Sequence, residues 1–216
     1  MLLPTRRWIA WTLRIAVATA AAPILLYNSS YIADLDGAGP HSAEWNRAET
    51  ALALVLSATM LAGVWGLLAV LQARTSNRAL SPVLVFTALA SGATVMLCGY
   101  FRGGQFALPI AGAVAGATLA SYALPKQSEE NPCLGVGLLS IFTVIFIGRF
   151  YGSLPTSPAI GLLFAPLLLW IAEIPALRKL PPAARAAIGI AAVLTTLVFI
   201  VAWAQIRFNA AFHARP

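Results

Sequence analysis

The stretch that decides the fold is LSPVLVFTALASGATVMLCGYF, residues Leu80–Phe101, which contains no charged residue. A run of about 20 apolar residues is the length that an α-helix needs to cross the hydrocarbon layer of a membrane. Similar runs recur along the chain, in which 60% of the residues are hydrophobic and 10% are charged. Because soluble domains carry about 25% charged residues, this composition excludes a single soluble core. It predicts an all-α, polytopic integral membrane protein.

Seven such runs predict a bundle of seven transmembrane helices, which form one domain over residues 1–216. The loops between them are short and rich in Pro, Gly, Ser and Asn, residues that end helices. Only the RGGQ sequence at residues 102–105 separates the third run from the fourth, and we expect a tight turn there. A six-span version, with one run re-entrant or lying flat, is the main alternative. The predicted spans are residues 8–27, 48–72, 80–101, 106–124, 134–152, 159–177 and 184–204.

The orientation is predicted from Lys and Arg, which collect on the cytoplasmic side of membrane proteins. With the N-terminus inside, the inner segments carry eight of these residues and the outer segments carry four. The charges therefore favour N-in and C-out. The inner residues are Arg6, Arg7, Arg74, Arg78, Lys126, Arg178, Lys179 and Arg185, and the outer residues are Arg47, Arg102, Arg207 and Arg215.

The first span has some features of a signal peptide, because residues 5–23 combine a basic start, an apolar stretch and small residues near Ala20. Two features argue against cleavage. Arg14 interrupts the apolar stretch, and the hydrophobicity continues beyond Pro23. We therefore expect the first span to be retained.

Two stripes of small residues, spaced four apart, predict close helix packing, which in lipid depends on the near approach of backbones. We expect the second and fourth spans to be central, with these stripes facing inward. The stripes are Ala58, Ala62 and Gly66 in the second span and Gly112, Gly116 and Ala120 in the fourth.

The central parts of the seven spans contain no Asp, Glu, Lys or His. Ionisable side chains at membrane depth usually mark proton relays, ligand sites or catalytic centres. The pattern argues against proton-coupled transport, a retinal protein of the rhodopsin type, an intramembrane haem or zinc site, and an intramembrane serine protease. We expect no catalytic residue, no cofactor and no metal. Near the inner end of the sixth span, Glu173 is interpreted as an interfacial partner of Arg178 and Lys179.

Two further features concern helix geometry. Pro166 lies in the middle of the sixth span and predicts a kink, because proline removes a backbone donor. A broken helix can form a substrate site in a transporter, although a tolerated kink is the commoner case. Cys98 and Cys133 lie near opposite ends of their spans, so we expect no disulfide between them.

The longest predicted outer loop is acidic and contains Asp34, Asp36, His41 and Glu44. Spaced carboxylates before a glycine resemble the first half of a calcium-binding loop, but the later ligands are missing. With His213 also outside the spans, a metal site is an alternative. A solvated acidic loop is the favoured interpretation.

Two helix ends on the predicted outer face have similar sequences, since the third span ends in GYFRGG and the fifth in GRFYG. They pair Tyr100 with Arg102 and Arg149 with Tyr151. Anchoring in the interfacial aromatic belt accounts for most of this pattern. The alternative is a two-pronged anion site, in which Arg102 and Arg149 hold a lipid phosphate or carboxylate.

Three classes of function remain open. The favoured class is a non-catalytic structural, assembly or lipid-associated protein, whose partners are membrane lipids, another membrane protein or a second copy of itself. The alternatives are a transporter or channel for a neutral or lipid-like solute, and an enzyme that acts on a lipid-linked substrate at the outer face. Nucleic acid is excluded as a partner, because the 14 Lys and Arg form no continuous basic face. We expect a multi-pass location in a bacterial inner membrane.

Overall fold

A computed structural model describes residues 4–27, 29–32, 46–74, 79–123 and 133–213. Every regular element within these ranges is a helix. The α-helices are α1 (Pro4–Leu26), α2 (Arg47–Arg74), α3 (Leu80–Leu97), α4 (Phe101–Gln105), α5 (Ala107–Ala123), α6 (Cys133–Phe150), α7 (Thr156–Phe164) and α8 (Pro182–His213), with 3-10 helices at Ala165–Glu173 and Leu177–Lys179.

Six helical segments of the described residues are long and apolar enough to cross a membrane. The prediction of an all-helical, multi-pass membrane protein is therefore confirmed at this level. In the remaining predicted span, residues 134–152, the apolar helix Leu134–Phe150 is shorter. The 18 residues of α6 extend over about 27 Å, slightly less than the ~30 Å of a typical hydrocarbon layer. The six segments are Trp8–Leu26, Arg47–Arg74, Leu80–Leu97, Phe101–Ala120, Thr156–Glu173 and Pro182–Ala211.

The chain divides within α2 into two compact units, residues 1–65 and 66–216. The first unit contains α1 and the beginning of α2. A capping box starts α2, because the Glu49 backbone N–H donates to Asn46 Oδ1 at 2.8 Å and the Asn46 N–H donates to Glu49 Oε2 at 3.0 Å. These two reciprocal bonds satisfy donors that the first turn of a helix cannot pair internally.

In the second unit, α3 packs against α5, α6 and α8. Leu84 of α3 contacts the Gly137 position of α6, and Val95 contacts Gly148, so α3 and α6 run parallel. Gly92 of α3 lies against Ala107 of α5, which runs in the opposite direction. These helices approach closely because glycine leaves room for the neighbouring side chain or backbone.

The last two segments also alternate in direction. Gly161 of α7 lies against Ile200, and Gly189 of α8 lies against Leu169 of the first 3-10 helix, so α8 returns antiparallel to them. Leu97 of α3 and Arg207 of α8 line the same cavity. The C-terminal ends of α3, α6 and α8 therefore share one end of the second unit.

The turn between the third and fourth predicted spans differs from our expectation. The RGGQ sequence is helical, within α4, and the turn lies earlier, at Cys98–Tyr100. Gly99 has φ +90°, a backbone conformation that glycine adopts without the steric cost of a side chain. Gly103 and Gly104 instead allow α4 to pack closely on Tyr100 and Met96.

Pro166 produces a change of helix type in the sixth predicted span. The α-helix ends at Phe164, and nine residues of 3-10 helix follow from Ala165 to Glu173. Because Pro166 has no N–H, it cannot donate to the Leu162 carbonyl, and proline is tolerated at the beginning of the new helical segment.

The small-residue stripe of the fourth span is exposed among the described residues, so its role as a packing face stays a prediction. No atom of the described residues lies within 4 Å of a Cβ built at Gly112 or Gly116, and Ala120 is exposed. Ala111 and Val114 form the buried face of α5 instead. Four-residue spacing shows that small residues share a face, but it does not determine which way that face points. In the second span, Ala58, Ala62 and Gly66 are half-buried.

The parallel pairing of α3 and α6 also separates the two cysteines. Cys98 follows the last residue of α3, whereas Cys133 is the first residue of α6. Their backbones are therefore about 27 Å apart along the helix axes. A disulfide requires a Cα separation of about 4.4–6.8 Å, so the two residues of one chain are too distant to form one.

Candidate anion site at the three-arginine end

The end of the second unit where α3, α6 and α8 finish carries Arg102, Arg149 and Arg207, and we call it the three-arginine end. Its framework begins with the last turn of α3. The Tyr100 N–H donates to the Val95 carbonyl at 3.2 Å, and the Gly99 N–H donates to the Met96 carbonyl at 3.1 Å. With Gly99 at positive φ, these bonds form a Schellman motif, which pairs terminal carbonyls and reverses the chain sharply.

Tyr100 then connects α3 to α4. Its carbonyl accepts a hydrogen bond from the Gly104 N–H at 3.1 Å. Its ring covers Gly103 so closely that a Cβ at that position would overlap the ring. Ile147 of α6 lies 3.3 Å from the same Cβ position, so the glycine allows the GYFRGG segment to pack against α6.

The connection between α6 and α7 is held to the same turn. Cys98 carbonyl oxygen accepts hydrogen bonds from both the backbone N–H, at 3.2 Å, and the hydroxyl of Ser153. A Cβ at Gly152 would lie 3.0 Å from Tyr100 Cβ. The structure therefore brings the GYFRGG and GRFYG segments together at one end, where the sequence predicted an Arg–Tyr pair on each.

Arg149 is exposed, and its position is defined by two contacts. Its Nε–H donates to Thr156 Oγ1 at 3.1 Å, and its Cζ lies 5.7 Å from the centroid of the Phe150 ring. Phe150 in turn packs on Phe146, with ring centroids 4.4 Å apart. These contacts engage one of the five guanidinium N–H groups and leave the others able to bind an anion.

Arg102 is the exposed second residue of α4 and makes no side-chain hydrogen bond or ion pair with any described residue. Tyr151 is 44% exposed beside Arg149, and Tyr100 is half-buried against Gly103. Tyr100 therefore packs within the three-arginine end, and a contribution of Tyr151 to an anion site stays a prediction.

Arg207 is the site residue that the sequence analysis did not identify. It lies in α8 beyond Ala204, the predicted end of the seventh span, because the helix continues to His213. Its Cζ is 5.1 Å from the centroid of the Trp203 ring. The apolar residues Ile206 and Phe208, beyond Ala204, were the available signal that the helix extends further.

Cys98 lies beside Arg207, just after the last residue of α3. Burial raises the pKa of its thiol above the ordinary value, and the Arg207 guanidinium opposes this increase in part. The thiol is therefore neutral at physiological pH, and the charge at this position comes from the arginine alone.

Asp34, Asp36, His41 and Glu44 lie outside the described residues, as does the side chain of His213. Among the residues that the structure describes, no three His, Cys, Asp or Glu side chains could together hold a metal ion.

No family model, curated protein or solved structure matches this chain. Its function is therefore inferred from the geometry of the described residues.

Proposed function

We propose that this chain is a non-catalytic, lipid-associated membrane protein, which binds the phosphate of an anionic lipid through Arg102 and Arg149. The observation that carries the proposal is the packing of the GYFRGG and GRFYG segments at one end of the second unit. The two arginines come from different helices, yet Tyr100, Gly152 and Ile147 hold those helices in direct contact.

The chemistry of arginine supports a phosphate ligand. A guanidinium presents several N–H donors in a planar fork, which matches two oxygens of a phosphate or carboxylate. Arg102 has no hydrogen-bonding partner within the described residues, and Arg149 uses one donor for Thr156. A lipid headgroup supplies the missing acceptors at the depth where arginines near helix ends reside.

We further propose seven spans, with α6 as the short one, and an N-in, C-out orientation. This topology places the three-arginine end at the outer surface. Arginines on the outer side are contrary to the usual excess of positive charge on the inner side. Binding of an anionic headgroup explains why they are present there.

The test is lipid retention in purified protein, measured by native mass spectrometry and by titration with phosphatidylglycerol after delipidation. The R102Q/R149Q variant should bind about tenfold more weakly than the wild type, because it loses charge-assisted hydrogen bonds. R102K/R149K should be intermediate, because an ammonium group keeps the charge but not the planar fork.

The control is R14Q/K179Q, which removes two positive charges without changing Arg102 or Arg149. It should retain phosphatidylglycerol at nearly the wild-type level. If both double variants lose affinity equally, binding depends on net charge alone and the proposed site is wrong.

The 3-10 helix at Ala165–Glu173 favours a second candidate function, transport of a neutral or lipid-like solute. Runs of 3-10 helix longer than three or four residues are uncommon, and such segments often mark hinges. If the protein transports a solute, P166A should abolish flux into reconstituted vesicles while lipid retention stays unchanged. Flux that is insensitive to P166A would remove the support for this alternative.

A further inference from the structure

A cavity of about 140 Å³ lies beside the Arg102–Arg149 site, between the ends of α3 and α8. It is where the last turn of α3, the loop after α6 and the extended part of α8 meet. An engineered apolar cavity of similar size, about 150 Å³, holds a benzene molecule, so a small headgroup fits here. The lining residues are Leu97, Cys98, Ser153, Ala204, Arg207 and Phe208.

Arg207 is the one charged residue of this lining. The Cys98 carbonyl is already paired with the N–H and hydroxyl of Ser153. Arg207 makes a cation–π contact with Trp203, but no hydrogen bond or ion pair with any described residue. The cavity therefore has a positive charge that no described carboxylate balances, which favours an anionic ligand.

The rest of the lining combines the apolar side chains of Leu97, Ala204 and Phe208 with Cys98 and Ser153. Phe208 is itself 43% exposed, and the cavity lies at the end of helices that are apolar enough to cross a membrane. A ligand with an anionic headgroup can place the headgroup at Arg207 while its hydrocarbon chain extends into the surrounding lipid.

We propose that the cavity binds the headgroup of an anionic amphiphile, whose phosphate or carboxylate pairs with Arg207 and whose chain extends into the surrounding lipid. The site is separate from the Arg102–Arg149 site and does not require that proposal to be correct. Its ligand chemistry is shared by membrane lipids and by soluble phosphate, so the experiment compares both sources.

Alkylation of Cys98 by a maleimide reports occupancy, because this thiol lines the cavity. The C133A background leaves Cys98 as the single cysteine of the chain, which contains two. The rate is measured in nanodiscs of phosphatidylcholine, with and without phosphatidylglycerol, and in detergent with inorganic phosphate. We expect phosphatidylglycerol to slow alkylation about tenfold at nine-tenths occupancy, because only the empty site reacts.

The decisive variant is R207Q, in which phosphatidylglycerol should no longer slow alkylation. Because Arg207 also lowers the pKa of the Cys98 thiol, R207Q changes the intrinsic rate. The comparison is therefore the ratio of rates with and without phosphatidylglycerol within each variant. R207K keeps the charge and should retain part of the protection. That result would show that the loss of protection in R207Q comes from the lost charge and not from a folding defect at this position.

R102Q/R149Q should keep full protection of Cys98, so failure of the neighbouring site is distinguishable from failure of this one. Protection by phosphatidylglycerol supports the proposal, and added protection by inorganic phosphate shows that the headgroup alone binds. Protection by phosphate but not by phosphatidylglycerol would contradict an amphiphile. Equal protection in the wild type and R207Q, or no protection at all, would overturn the proposal.

Discussion

Substitution of Gly92 by Ala tests the close packing of α3, α4 and α5 that supports the three-arginine end. A Cβ at Gly92 would overlap the Ala107 methyl group and lie 2.7 Å from the Gly104 carbonyl oxygen. A backbone oxygen cannot turn aside as a flexible side chain can, so α4 would have to move away from α3. Gly112→Ala is the matched control, since no described atom lies within 4 Å of its Cβ position.

Both variants gain stability because alanine replaces glycine within a helix, but only G92A also introduces a steric clash. Replacing Gly by Ala within a helix stabilises it by about 0.5–1 kcal/mol. Overpacking a close contact costs about 1–3 kcal/mol, and the backbone clash at Gly92 places it in the upper part of that range. We expect G92A to lower the free energy of unfolding by about 1–2 kcal/mol and G112A to raise it by about 0.5–1 kcal/mol.

The assay is thermal unfolding in a mild detergent, followed by tryptophan fluorescence. At about 2–4 °C per kcal/mol for a chain of this size, G92A should unfold about 3–12 °C below G112A. A G92A protein that unfolds at or above the wild-type temperature would refute the packing described for α3 and α4.

Three further predictions concern single contacts, and the same assay measures them. G99A should destabilise the protein by about 1–2 kcal/mol, because alanine is strained at positive φ, and an unchanged Tm would contradict the turn at Cys98–Tyr100. N46A should lower the free energy of unfolding by about 0.5–2 kcal/mol, because it removes the α2 cap. The control is L52A, a substitution at an exposed position of the same helix. W170F removes the buried Trp170 Nε1–H, which has no acceptor among the described residues and as an unpaired donor costs about 1–3 kcal/mol, while Phe keeps a ring for the cation–π contact with Arg74. It should therefore be neutral or slightly stabilising, and a clear loss of stability would contradict this reasoning.

The sequence predicts the class of this protein well, because apolar runs of membrane length and the scarcity of charge leave few alternatives. It also places α3 and α6 with their similar Arg–Tyr ends on the same side, as the structure shows for the second unit. The class follows from the composition. The shared side of the two helix ends follows from the number of helices between them, and neither inference requires knowledge of tertiary contacts.

The roles of individual glycines are harder to predict. Gly103 and Gly104 suggest a turn as a pair, yet the turn uses Gly99, and the pair allows close helix packing. Gly112 and Gly116 form a recognised packing motif, yet a Cβ at either position would meet no atom of another described helix within 4 Å. A glycine indicates that something needs space or positive φ, and only the tertiary contacts determine which.

The length of α8 had the largest effect on the candidate site. The predicted seventh span ends at Ala204, after about the 20 apolar residues that cross a membrane, but the helix has 32 residues. This extension brings Arg207 to Cys98 and forms the cavity. A count based on membrane thickness cannot detect helix that continues beyond the membrane or tilts within it.

The central claim is that Arg102 and Arg149 bind a lipid phosphate together. The most direct test is an experimental density map of the protein in nanodiscs containing phosphatidylglycerol. We predict headgroup density within about 3 Å of both guanidinium groups, the distance of a charge-assisted hydrogen bond. A map in which the two side chains extend separately into solvent, with no density between them, would contradict the claim.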